Sequence, residues 1–219
     1  MRGEPYRAPW WLRGGHAQTI VPLARAGALP TYRRERVDTP DGDFIDLDWL
    51  AGPSAPGAPL VVLFHGLEGS SRSHYARSLM RAVARRGWRG VVPHFRGCSG
   101  VPNRLPRAYH SGDSDEIDWI VQRLAAAAGA APLFVAGVSL GGNALLKWLG
   151  ERGATATDQV SAAAAVCPPL DLTASGTALA QGFNRVYTYR FLRTLRAKAL
   201  AKLERWPGLC DAGRVRSAA

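Results

Sequence analysis

Residues 60–64 read Leu-Val-Val-Leu-Phe, apolar at every position, and run directly into His65-Gly66. A strand with one wet face alternates apolar and polar residues. A strand without that alternation must be covered on both faces, as the central strands of a parallel sheet are. Leu133-Phe134-Val135-Ala136 has the same character, and Val160 to Val166 is a further apolar strand closed by Pro168-Pro169. Between these runs the period changes. Residues 74–86 are basic and amphipathic, with Tyr75, Leu79 and Val83 four apart. Trp88 to Phe95 reads as a strand. Asp113 to Ala128 opens with acids, which suit a helix N-terminus, and places Ile117, Ile120, Val121 and Leu124 on one stripe. Gly142 to Gly150 reads as helix. Alternation of this kind predicts an α/β fold, a mostly parallel sheet with helices on both faces.

The flanks differ. Residues 33–50 predict an N-terminal hairpin: Pro40-Asp41-Gly42-Asp43 is a turn sequence, and Phe44 to Leu50 alternates as a half-wet strand does. Residues 178–206 read as helix, with Leu192, Leu195, Ala199, Leu203 and Trp206 on one face and seven basic residues on the other. Such a helix suits a cap over a pocket, an ordinary solvated face, or peripheral membrane contact through residues 185–205. The expected organisation is an N-terminal extension over 1–32, an α/β core over 33–169, and a helical cap segment with its tail over 170–219.

Composition excludes several classes. A chain of 219 residues, 47% hydrophobic, suits one globular domain with a sizeable core. The N-terminus carries charge but no apolar leader core. Residues 124–146 carry no charge and are long enough to span a bilayer, but Gly129-Ala-Ala-Pro132 divides them into helix end, loop and strand. The net charge of +11 is almost all arginine and scattered, with no nucleic-acid motif beside it, so no nucleic-acid partner is expected. Cys98, Cys167 and Cys210 show no metal or disulfide spacing, which makes a reducing, cytoplasmic setting the expectation.

The chemistry centres on Gly137-Val138-Ser139-Leu140-Gly141. A G-x-S-x-G between a strand and a helix is the setting of a nucleophile elbow, with Ser139 lifted clear of the backbone. The helix that follows would aim the Leu140 N–H at a developing oxyanion. His65-Gly66-Leu67-Glu68-Gly69-Ser70, after an apolar strand, can present the Leu67 N–H as the second donor. His65, Gly66 and Arg96 are pocket candidates, with His65 better suited to a structural hydrogen bond and Arg96 to tying loops together. Cys98 is a candidate nucleophile without an assigned base. Asp113, Asp115, Glu116 and Asp118 read as helix-start, solvent-facing acids. None of the five histidines follows Ser139, whereas folds with this elbow place the histidine after the serine. Asp158, Asp171 and Asp211 do follow it.

Taken together, G-H-A-Q-T at 15–19, P-D-G-D-F at 40–44, H-G-L-E-G-S-S at 65–71, R-G-W-R-G-V-V-P-H-F-R-G-C-S-G at 86–100, Y-H-S-G at 109–112 and G-V-S-L-G-G-N at 137–143 resemble the α/β-hydrolase superfamily. The branch is the AB hydrolase 4 family of esterases and acylglycerol-lipase-like enzymes. The resemblance implies Ser139 as nucleophile for carboxylic-ester hydrolysis on a small-molecule or lipid ester, without metal or organic cofactor. It also implies an aspartate and a histidine on loops after the final strands. Those loops are expected beyond residue 219, so the chain reads as a hydrolase cut after its cap, weakly active or inactive, with an exposed apolar edge near 160–166. The alternatives are a non-catalytic product that binds an acyl ligand or partner, and a basic membrane-surface protein.

Overall fold

The computed structural model describes residues 7–218. Residues 1–6, where part of the leader reading falls, lie outside the described residues. In chain order the elements are α1 (Gly15–Ala24), β1 (Tyr32–Asp38), β2 (Phe44–Leu50), β3 (Leu60–Phe64), α2 (His74–Arg85), β4 (Arg89–Pro93), α3 (Ser114–Ala128), β5 (Leu133–Val138), α4 (Leu140–Arg152), β6 (Ala162–Val166), α5 (Leu172–Leu179), α6 (Arg185–Arg205) and α7 (Ala212–Ser217). The sheet order is β1-β2-β4-β3-β5-β6. The β1–β2 hairpin is antiparallel and joins β4 antiparallel, while β4, β3, β5 and β6 run parallel. It is an α/β-hydrolase fold.

The unbroken apolar run of β3 is answered on both faces. Leu60, Val62 and Phe64 pack with Ile117, Ile120 and Leu124 of α3 and Leu145 and Trp148 of α4. Leu63 faces the other way, onto Ala76 and Met80 of α2 with Val92 of β4. The uncharged stretch 124–146 divides into the end of α3, β5 and the start of α4. No helix among the described residues is long and apolar enough to cross a membrane.

Two differences from the expected element boundaries bear on the site. The helix expected at Gly142 begins at Leu140, because the turn at Ser139 itself starts it. The single helix expected over 178–206 is broken: α5 ends at Leu179, and Gly182 at φ +52° separates it from α6. β6 is an outer strand paired with β5 alone; Ala162, Ala163, Ala164 and Val166 are exposed. The apolar edge expected near 160–166 is therefore present. No residue of α6 is buried, although its Lys198 and Lys202 reach loops at the carboxyl end of the sheet.

Candidate active site

β5 delivers the chain into the Gly137–Gly141 turn, and its glycines explain how tight that turn is. A Cβ on Gly137 would lie 2.5 Å from the Gly141 carbonyl oxygen. One on Gly141 would lie 2.5 Å from the carbonyl oxygens of both Phe64 and His65. Only a residue without a side chain lets α4 start this close to β5 and β3. The conformational strain falls on Ser139, at φ +53° and ψ −119°. Such backbone costs on the order of 1–3 kcal/mol and persists where its surroundings over-determine it. Here the Ser139 N–H donates to Val166 O at 2.9 Å, and Ser139 O accepts from the Asn143 N–H at 2.9 Å. The Ser139 side chain does not fold back to cap α4.

The turn from His65 to Gly69 lies against this elbow: a Cβ on Gly66 would sit 3.2 Å from Ser139 Cβ. Two tyrosines pin it. The Gly66 N–H donates to Tyr75 Oη at 2.8 Å, and the Glu68 N–H donates to Tyr109 Oη at 2.9 Å. The amide between them, that of Leu67, has no hydrogen-bond partner among the described residues. The Leu140 N–H has none either, as the first amide of a helix has no intrahelical acceptor. Two unpartnered amides on segments touching Ser139, one at the positive end of a helix dipole, suit the negative oxygen of a tetrahedral intermediate.

Four of the five histidines are hydrogen-bonded elsewhere, and the fifth, His74, opens α2 with its ring against Tyr75. The Phe95 N–H donates to His65 Nε2 at 3.1 Å, which puts the ring proton on Nδ1, 2.8 Å from Gly66 O. Burial pushes this ring's pKa down to about 3. His94 Nε2 lies 2.8 Å from Asp48 Oδ2. Burial opposes ionisation of Asp48, but hydrogen bonds from Arg34, His94 and Ser71 hold its carboxyl well below the usual range. His16 meets Tyr187, and His110 meets Ser111 O. No histidine ring among the described residues hydrogen-bonds to Ser139.

Arg96 is buried, donating to Asp41, Asp43 and Glu116. It thus joins the β1–β2 turn to α3, and, as expected of a pocket residue, it lines the cavity beneath α6. Here the sequence reading needs correction: Asp113 and Glu116 do not face solvent but are 3% and 4% exposed. Acids at a helix start look alike whether water or a guanidinium covers them, and here loops bring Arg107 onto Asp113 and Arg96 onto Glu116. Asp118, too, is held by Trp148 and Arg152. Asp115 remains exposed. Of the acids after Ser139, Asp171 caps α5, Asp211 caps α7 and Asp158 is exposed. The Cys98 thiol is buried, which pushes its pKa up, and lies 3.5 Å from Lys198 Nζ.

Beneath α6 is a cavity of about 740 Å³, walled by Leu67, Glu68, Tyr109, Pro102 and Pro106 on one side and Leu195, Lys198, Lys202, Trp206 and Leu209 on the other. Ser139 does not line it; the Leu67-Glu68 turn is what the chamber and the elbow share. Lys198 Nζ donates to Glu68 Oε1 at 2.8 Å. Lys202 Nζ donates to the carbonyls of Leu105, Pro106 and Arg107 at 2.7, 3.1 and 2.7 Å. No motif in the sequence marks Tyr75 or Lys198 as a site residue. Tyr109 and Glu68 stand inside Y-H-S-G and H-G-L-E-G, which was the available signal.

A family profile described as "alpha/beta hydrolase fold" matches residues 59–209. "Putative esterase YheT" of Escherichia coli (strain K12) is 45% identical over 195 residues, 88% of this chain and 57% of that protein. Human "Phospholipase ABHD3" is 31% identical over 157 residues, 68% of this chain and 38% of that protein. The chain thus spans about half the length of the curated relatives it matches. Among solved structures, the Pyrococcus furiosus esterase Pf2001 superposes with a TM-score of 0.55 at 18% identity, covering 74% of this chain and 61% of that one. The Xanthomonas campestris serine hydrolase XC6422 gives 0.51 at 19% identity, covering 64% and 63%. At those identities the likeness is one of fold.

Proposed function

Because the chain belongs to the α/β-hydrolase family, we propose that it carries the nucleophile and oxyanion half of a serine carboxylic-ester hydrolase. The observation that carries this reading is the lone unpartnered Leu67 amide, flanked by two tyrosine-bound amides, in a turn packed against a strained Ser139. In this mechanism Ser139 Oγ attacks the ester carbonyl carbon while its proton passes to a base. The carbonyl oxygen becomes an oxyanion between the Leu67 and Leu140 N–H groups. Collapse expels the alcohol, which takes up the proton, and water then cleaves the acyl-serine. Residues 170–219 form the cap, and the chamber under α6 takes the hydrophobic acyl group. The esterase and phospholipase names of the relatives support a small-molecule or lipid ester as substrate.

None of the chain's histidines serves Ser139, so the reading makes a specific statement about rate. The 219 residues alone react slowly, since loss of a triad base costs on the order of 10⁴–10⁶ in turnover while leaving the oxyanion donors in place. A fluorophosphonate should label wild type slowly at Ser139, and imidazole added as a base should speed the labelling. Ser139→Ala should take no label with or without imidazole. Absent labelling in the presence of imidazole, or labelling that survives Ser139→Ala, would sink the assignment.

A second reading is favoured by one observation, that Ser139 does not line the cavity. On that reading the chamber holds an acyl ligand without cleaving it. Fatty-acid binding that quenches Trp206 equally in wild type and Ser139→Ala, in a protein that never labels, would select it.

A further inference from the structure

We propose that Glu68 and Lys198 are positioning residues that couple the seating of α6 to the geometry of the oxyanion turn; the catalytic part of this inference rests on the function proposed above. Glu68 is a non-glycine residue at φ +54°, a backbone region that must be held from outside. Two hydrogen bonds to one tyrosine do so from the core side: the Glu68 N–H donates to Tyr109 Oη at 2.9 Å, and Tyr109 Oη donates to Glu68 Oε1 at 2.8 Å. Tyr109 in turn is fixed by stacking on Phe95, with ring centroids 5.3 Å apart and planes within 5°. The third tie comes from α6, where Lys198 Nζ meets the same Oε1 at 2.8 Å.

The arrangement makes one carboxylate oxygen the meeting point of the cap helix, the tyrosine and the residue after the Leu67 amide. When α6 is seated, the Lys198 ammonium holds Oε1 in place, and Oε1 orients the tyrosine hydroxyl that receives the Glu68 N–H. When α6 lifts, the carboxylate loses its charged partner, and water competes for both Tyr109 bonds. The Leu67 N–H then loses its fixed direction. Lys202, one turn further along α6, provides the internal contrast. It ties the same helix down through three loop carbonyls and does not touch the turn.

Hydrogen exchange read by mass spectrometry on the 219-residue chain tests the coupling without requiring turnover. Lys198→Met should raise exchange about tenfold both in α6 and in the 66–70 segment, the loss expected from one charge-assisted hydrogen bond. Lys202→Met should raise it in α6 while leaving 66–70 unchanged. A Lys198→Met protein with an unaltered 66–70 segment, or a Lys202→Met protein in which both segments loosen alike, would overturn the proposal. Imidazole-assisted phosphonate labelling adds the catalytic readout. Lys198→Met and Glu68→Gln should lower the limiting inactivation rate about tenfold with little change in the phosphonate concentration giving half that rate. If labelling is unaffected although exchange is coupled, the positioning role is overturned. If wild type never labels, the hydrolase reading fails while the exchange comparison still decides the coupling.

Discussion

At the scale of single residues, the site is made by what is missing as much as by what is present. Gly141 has no side chain because the backbone of β3 occupies the space, with two carbonyl oxygens 2.5 Å from where a Cβ would be. Those atoms belong to the last residue of the most buried strand and to the buried residue that follows it, and cannot retreat. Gly141→Ala should therefore cost more than about 3 kcal/mol, or prevent folding. Gly150, in the same helix, meets nothing within 4 Å, so Gly150→Ala should gain roughly 0.5–1 kcal/mol from helix propensity. Urea unfolding of the two variants checks the pair, and a similar effect at both positions would contradict the packing account. The G-x-S-x-G pattern made these positions legible in the sequence. The tyrosine ties were not, because nothing near Glu68 reveals a partner 41 residues away.

At the scale of elements, apolar periodicity revealed the strands that are covered and could not rank their exposure. β3 and β6 are both continuous apolar runs, yet β3 is buried throughout while Ala162, Ala163, Ala164 and Val166 of β6 are exposed. The difference is position in the sheet order, a long-range property. The break at Gly182 was hidden for another reason: glycine is tolerated within helical sequence, and only the tertiary path decides whether φ turns positive. An outer strand of alanines and valine with an open hydrogen-bonding edge is a template for pairing between molecules. The chain should therefore self-associate with rising concentration, and Ala164→Lys, on an exposed β6 position, should suppress it. Static light scattering across a concentration series decides this, and a wild type that stays monodisperse, or a lysine variant that associates equally, would refute it.

At the scale of the whole molecule, the carboxyl end of the sheet rests on a buried polar framework whose titration should shape stability. Asp43 accepts from Asn103, Arg96 and the amides of Phe44, Arg104 and Leu105, and Asp48 binds Arg34, Ser71 and His94. These hydrogen bonds outweigh burial and hold both carboxyls below their ordinary values. The stability they confer is present above the unfolded carboxylate range and is lost as pH falls through their folded pKa values. His65 acts at higher pH. Its folded pKa of about 3 lies below the 6.5 of the exposed ring, so between those values the unfolded chain binds a proton that the native chain refuses. Stability must then rise with pH across that window, by roughly 1.4 kcal/mol per pH unit for one proton. His74, also depressed by burial, adds in the same sense. Glu116 opposes them, since burial raises its pKa and its contribution is lost as pH climbs through the folded value. Glu116 subtracts from the slope alike in wild type and in a His65 variant, so comparing the two isolates the ring. Urea titrations at pH 5, 5.5 and 6 should give wild-type stability rising with pH, and a slope lower by about one proton in His65→Gln. That variant should be the less stable protein at pH 6.5, since it cannot reproduce both ring hydrogen bonds. An undiminished slope would mean that His65 is not the neutral, backbone-bound ring on which the 65–69 turn is built.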